Sequence, residues 1–132
     1  MRPRQPARLL MGTLYIAAGT LHFLLTRRYV AIMPLYLPAA RTLVLISGAA
    51  EIAGGIGVLV PAPAVRRAAA WGLVALLIAV MPANLTMVTD HQRFPTIPLW
   101  ILILRLPLQL PLIYWAWRYT CDRTTDVATQ LQ

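Results

Sequence analysis

Apolar residues fill four long stretches of the chain, approximately residues 9 to 25, 42 to 60, 68 to 88 and 97 to 117, and most charged residues fall between them. A bilayer-spanning helix needs about 20 residues at about 1.5 Å each, so each stretch predicts one membrane helix. The connections left over are too short for a separate folded unit. The expected fold is therefore all-α: an integral membrane four-helix bundle, antiparallel and up-down, forming a single domain over residues 1–132. The first stretch follows Arg2, Arg4 and Arg8 as a secretory signal would, but no small-residue cleavage site ends it, and His22 interrupts its distal end. It reads as a permanent helix.

The first connection runs from Arg27 and Arg28 to Pro38, with Tyr29, Met33, Pro34 and Tyr36 inside it. It is apolar but short and broken by two prolines, which predicts an interfacial segment lying across the outer mouth of the bundle. Pro61 and Pro63 precede Arg66 and Arg67 and predict a tight turn between the second and third helices. Ala50, Ala53, Gly54 and Gly57 on the second span, and Ala68, Gly72, Ala75, Ala79 and Ala83 on the third, recur at helical spacing and read as packing faces. Trp71, Trp100, Trp115 and Trp117 lie near span ends, as interfacial belt residues do.

Composition agrees with a lipid environment. Hydrophobic residues make up 59% of the chain and charged residues 12%, against roughly a quarter charged in a soluble domain. Twelve arginines and four acids give a net charge of +8. The arginines sit singly or in pairs between apolar runs, which argues against nucleic acid as a partner. Arg2, Arg4, Arg8, Arg66, Arg67, Arg118 and Arg123 would share one side, against Arg27, Arg28, Arg41 and Arg93 on the other. Basic residues stay inside, so both termini are expected on the cytoplasmic side. The basic first connection is itself suited to anionic lipid headgroups. A single cysteine, Cys121, rules out an internal disulfide or a Cys-x-x-Cys pair and reads as a bystander, and two distant histidines argue against a metal centre.

The informative residues are polar ones inside the spans: Tyr15, His22, Ser47, Glu51, Asn84, Arg105 and Gln109. Each is costly in hydrocarbon without a partner. Counted from the outer helix ends they lie roughly 5 to 18 Å deep, in the outer half or near the midplane. Tyr15 and His22 are seven apart, Ser47 and Glu51 four apart, and Arg105 and Gln109 four apart, so each pair shares a helical face. These stripes are expected to meet at the bundle centre, with Glu51 neutralising Arg105 in a buried ion pair. Such a pair serves either as structural glue or as a binding site, since desolvation offsets most of its attraction. Pro82, Pro107 and Pro111 free carbonyls within the third and fourth spans, predicting kinks, and Asn84 is placed to satisfy backbone exposed by Pro82.

Gly19-Thr20-Leu21-His22-Phe23, Met33-Pro34 with Leu37-Pro38, Ser47-Gly48 followed by Glu51, Met81-Pro82-Ala83-Asn84, and Trp100 with Arg105-Leu106-Pro107-Leu108-Gln109 occur in this order over residues 19 to 109. In this pattern the chain resembles the DoxX-like family of small four-helix bacterial membrane proteins. The resemblance implies a four-helix bundle in the cytoplasmic membrane and a link to quinone or thiosulfate oxidation, or to complexes that handle oxidative stress. His22, Glu51, Asn84, Arg105 and Gln109 match the family's polar positions, without an assigned catalytic role. Membrane thiol oxidoreductases are a poorer likeness, because they need paired cysteines.

Two functions follow as expectations. One is a redox-associated accessory or assembly subunit, whose polar cluster stiffens the bundle while its apolar surface docks a membrane protein partner or a second copy. The other is a component that binds a quinone or similar lipid-soluble molecule, with Arg105 and His22 donating to carbonyl oxygens and Glu51 relaying a proton. Proton-coupled transport ranks third, because four short helices leave little room for alternating access. Whether the chain is an enzyme stays open.

Overall fold

Every residue placed in a regular element of the computed structural model, which describes residues 5–120, is helical. The elements are α1 (Gln5–Leu24), α2 (Thr26–Ala31), α3 (Ala40–Leu59), α4 (Pro63–Ala79), α5 (Met81–Thr89), a turn of 3-10 helix at His91–Arg93, and α6 (Leu99–Thr120). Four helical stretches are long and apolar enough to cross a membrane: Gln5–Leu24, Ala40–Leu59, Pro63–Thr89 and Leu99–Thr120. Arg2, Arg4, Cys121 and Arg123 lie outside the described residues.

The third stretch begins five residues earlier than its apolar run, because Pro63 suits the first helical turn, where a missing N–H costs nothing. It is divided at Val80, which ends α4 and precedes Pro82 in the first turn of α5. The bend expected at Pro82 is thus a change of helix. α6, in contrast, runs through Pro107 and Pro111 without a break. Each proline removes one rung of the ladder there, and the flanking residues carry the helix across.

α1 and α3 form the most intimate contact, and glycine makes it possible. A Cβ on Gly19 would lie 2.5 Å from the carbonyl oxygen of Gly48, and one on Gly55 would lie 2.7 Å from that of Gly12. Contacts therefore descend along α3 as they ascend along α1, each pair seven residues from the next. The far side of α3 meets α4, where Gly54 leaves room for Leu73 and Gly57 for Ala69. α6 packs on α4 and α5, and α2 lies against α3.

The small-residue faces read from the sequence need correction. Gly54 and Gly57 are buried, but Ala50 and Ala53 are exposed. Ala68, Gly72, Ala75 and Ala79 also face outward, and a Cβ on Gly72 would meet nothing within 4 Å. α4 instead buries Ala70, Leu73, Val74 and Leu77. Gly54 of α3 leaves the space that Leu73 fills, while Ala68, Gly72, Ala75 and Ala79 of α4 are left on the outside.

Two apolar clusters bracket the polar residues. Met11, Tyr15, Val58, Leu73, Leu77 and Tyr119 belong to one core drawn from α1, α3, α4 and α6. Met87, Phe94 and Leu102 form a smaller one beside the other end, joined by Ile32 and Ile97. There Arg93 Nη2 donates to the carbonyl of Ala31 at 3.1 Å, tying the two connections together.

Candidate functional site

His22 and Glu51 are brought together by the glycine contact. A Cβ on Gly48 would sit 2.6 Å from His22 Cβ, and one on Gly19 would sit 3.0 Å from Glu51 Cβ. The two side chains thus emerge from the point of closest backbone approach. His22 Nδ1 lies 3.0 Å from the Ala18 carbonyl oxygen and 3.3 Å from Glu51 Oε2. Both neighbours are acceptors, so Nδ1 carries the proton, and in the neutral ring Nε2 is left as an acceptor. The histidine is therefore unsuited, while neutral, to donate to a carbonyl as the sequence suggested. Donors are found on other groups instead.

Tyr29 is the first of them, a residue of the segment expected to lie along the interface. Its ring stacks on His22 with centroids 3.9 Å apart and planes 26° from parallel. Burial holds the phenol above its ordinary value of 10.0, the Glu51 charge adds to that, and Arg105 opposes it. Tyr29 is accordingly a protonated donor at neutral pH, standing in the field of both an acid and a guanidinium. A signal was present: Tyr29 follows His22 by seven residues, two helical turns.

The expected ion pair between Glu51 and Arg105 does not form. Glu51 faces His22 on α1, whereas Arg105 Nη1 reaches Met87 Sδ on α5 at 3.4 Å. The reason is the order of packing: α3 sits between α1 and α4, and α6 sits against α4 and α5, so the two residues point to different neighbours. Arg105 is exposed on the bundle surface. Its thioether contact is a weak acceptor for a guanidinium.

The remaining polar residues divide. Asn84 Nδ2 donates to Gln109 Oε1 at 2.8 Å, and Gln109 Nε2 donates to the carbonyl of Leu77. The helix change at Val80 leaves that carbonyl short of a backbone donor, and Gln109 from α6 supplies one. Asn84, expected to satisfy backbone exposed by Pro82, bonds to the Gln109 side chain instead. Ser47 Oγ donates to the Val44 carbonyl of its own helix at 2.9 Å and stays outside the cluster. Among the described residues the Tyr15 hydroxyl is buried without a hydrogen-bond partner, and Glu51 Oε2 is buried with the His22 ring at 3.3 Å as its neighbour. Among the described residues no three His, Cys, Asp or Glu side chains converge as a metal site would need.

The family described as Domain of unknown function (DUF8561) matches residues 11–120. The chain belongs to this family. All the polar residues above lie within the matched domain, as do the glycines that position His22 and Glu51. Comparison with curated proteins and with solved structures gives no match.

Proposed function

We propose that this chain is a DoxX-like, redox-associated accessory subunit of the bacterial cytoplasmic membrane, and that it holds a lipid-soluble carbonyl compound such as a quinone at its polar cluster. In this reading the bundle is antiparallel and up-down with both termini in the cytoplasm, and α2 with its flanking prolines lies along the outer interface. The observation that carries the reading is the separation of Glu51 from Arg105. Among the described residues, an intramembrane cation without a carboxylate, together with a Tyr15 hydroxyl buried without a hydrogen-bond partner, is expensive unless a ligand completes it.

The residues suit such a molecule. Arg105 and Tyr29 offer N–H and O–H donors to a carbonyl oxygen. Glu51, backed by the His22 ring, is the carboxyl best placed to hold or pass a proton. A quinone, when bound, would supply the two-electron chemistry itself. The cluster borders an apolar core on one side, as a ligand with a hydrocarbon tail requires.

The test is mass spectrometry of organic extracts from protein purified in mild detergent. The expected result is a stoichiometric quinone in the parent, depleted at least about tenfold in Arg105→Ala, a loss of about 1.4 kcal/mol of binding. Full retention in that variant, or an empty parent from quinone-containing membranes, would overturn the site. The assembly part of the proposal rests on the outward face of α4, where Ala68, Gly72, Ala75 and Ala79 leave a helix surface open to close approach by another membrane helix. Gly72→Ile is expected to abolish co-purification of that partner, or of a second copy, with the bundle intact.

A further inference from the structure

We infer that the cleft bounded by the end of α1, by α2 and by the start of α3 is a binding site for the headgroup of an anionic glycerophospholipid. The cleft has a volume of about 580 Å³ and is lined by Arg27, Arg28 and Arg41 together with Phe23, Leu24 and Leu25. That size suits a small-molecule site. Arg27, Arg28 and Arg41 are exposed. None of the three guanidiniums has a hydrogen bond or ion pair among the described residues. Asp90, an acid of the neighbouring connection, is taken by Arg93 at 3.7 Å.

Three like charges around one concavity repel one another until a counter-anion enters. A phosphodiester is the anion that a planar guanidinium fork holds best, with two N–H donors to two oxygens. The apolar lining identifies the source of the phosphate. Phe23, Leu24 and Leu25 are 46%, 72% and 38% exposed. They line the same cleft as the arginines and give acyl chains a surface that a free anion has no use for. The site lies at the end of Gln5–Leu24, a helix long and apolar enough to span, which is where headgroups meet a membrane protein. The inference is independent of any quinone at the polar cluster.

The experiment is native mass spectrometry of the delipidated full chain in detergent, titrated with phosphatidylglycerol and with phosphatidylcholine of the same acyl chains. About fivefold in affinity is expected for each arginine near the headgroup. Phosphatidylglycerol should therefore bind roughly a hundredfold more tightly than phosphatidylcholine, and R27Q, R28Q and R41Q together should erase that preference. Arg67→Gln, at the opposite end of the bundle, should leave it unchanged. Equal binding of the two lipids by the parent, or a preference that survives the triple substitution, would overturn the site. Displacement of phosphatidylglycerol by millimolar inorganic phosphate would overturn the lipid assignment in favour of a free-anion site. Should the triple variant fail to fold, salt decides on the parent alone: the preference should shrink as ionic strength rises, and a salt-insensitive preference would sink the proposal.

Discussion

Along the seam between α1 and α3 the backbones approach until Gly19 and Gly48 face each other's carbonyls, whereas along the seam of α6 with α4 and α5 it is a side chain, Gln109, that reaches across to hold the helices. The first seam is closed by the absence of atoms and the second by hydrogen bonds. Both follow from the same constraint. Lipid supplies no hydrophobic drive between helices, so association must come from close packing or from polar contacts that have no better partner. The difference decides what each seam can carry. The glycine seam fixes the His22 and Glu51 side chains by backbone position, while the polar seam leaves Arg105 at its surface with a thioether as its hydrogen-bond acceptor.

The largest expected effect comes from wedging the glycine seam. Gly48→Ala would force a Cβ to within 2.6 Å of His22 Cβ and 3.0 Å of the Gly19 carbonyl oxygen. A loss of about 1 to 3 kcal/mol is expected, read as denaturation in mixed detergent. Gly72→Ala is the matched control on the same fold. With open space around it, the substitution should gain about 0.5 to 1 kcal/mol from helix propensity. Equal losses at both positions would mean that glycine contact is not what closes the first seam.

The second seam should break by a different route. Gln109→Leu keeps bulk but strips the donor from the Leu77 carbonyl and the acceptor from Asn84, at a cost of about 1 to 3 kcal/mol. Ser47→Ala, which removes only a bond within its own helix, should change stability by less than about 0.5 kcal/mol. The separation of the two seams can also be read directly. A double-mutant cycle on Glu51→Gln and Arg105→Gln should give a coupling below about 0.5 kcal/mol, and one on His22→Ala and Glu51→Gln a coupling above it. The reverse order would restore the ion pair that the sequence suggested.

The four apolar stretches and the polar residues inside them were legible, because length, hydropathy and a period of 3.6 residues are properties of one helix at a time. Which helix faces which is not such a property. Ser47 and Glu51 share a face on sequence grounds, yet one bonds to its own backbone and the other reaches α1. Glu51 and Arg105 lie at similar depths, but depth says nothing about the order of helices around the bundle. The spacing of Gly12 and Gly19 against Gly48 and Gly55 held the missing information, since matched seven-residue intervals on two spans mark a shared seam. Counting small residues span by span obscured it, and set the outward alanines of α4 on a par with the buried glycines of α3.

The smallest effect expected is on Tyr29, and it tests how the acidic side of the first seam and the cation of the second act on one group. The folded protein holds the phenol proton more tightly than the unfolded chain, first by burial and then by the Glu51 charge. Stability linked to that proton is complete below the ordinary value of 10.0 and declines as pH rises beyond it. Tyrosine-labelled carbon NMR should show Tyr29 titrating above 10.0. Glu51→Gln removes a negative charge and should move its midpoint down, while Arg105→Gln removes a positive one and should move it up. Opposite shifts would place the phenol between the two seams, where a ligand's carbonyl could take its proton as a hydrogen bond. Shifts of the same sign, or none, would leave Tyr29 as a ring packed on His22 and nothing more.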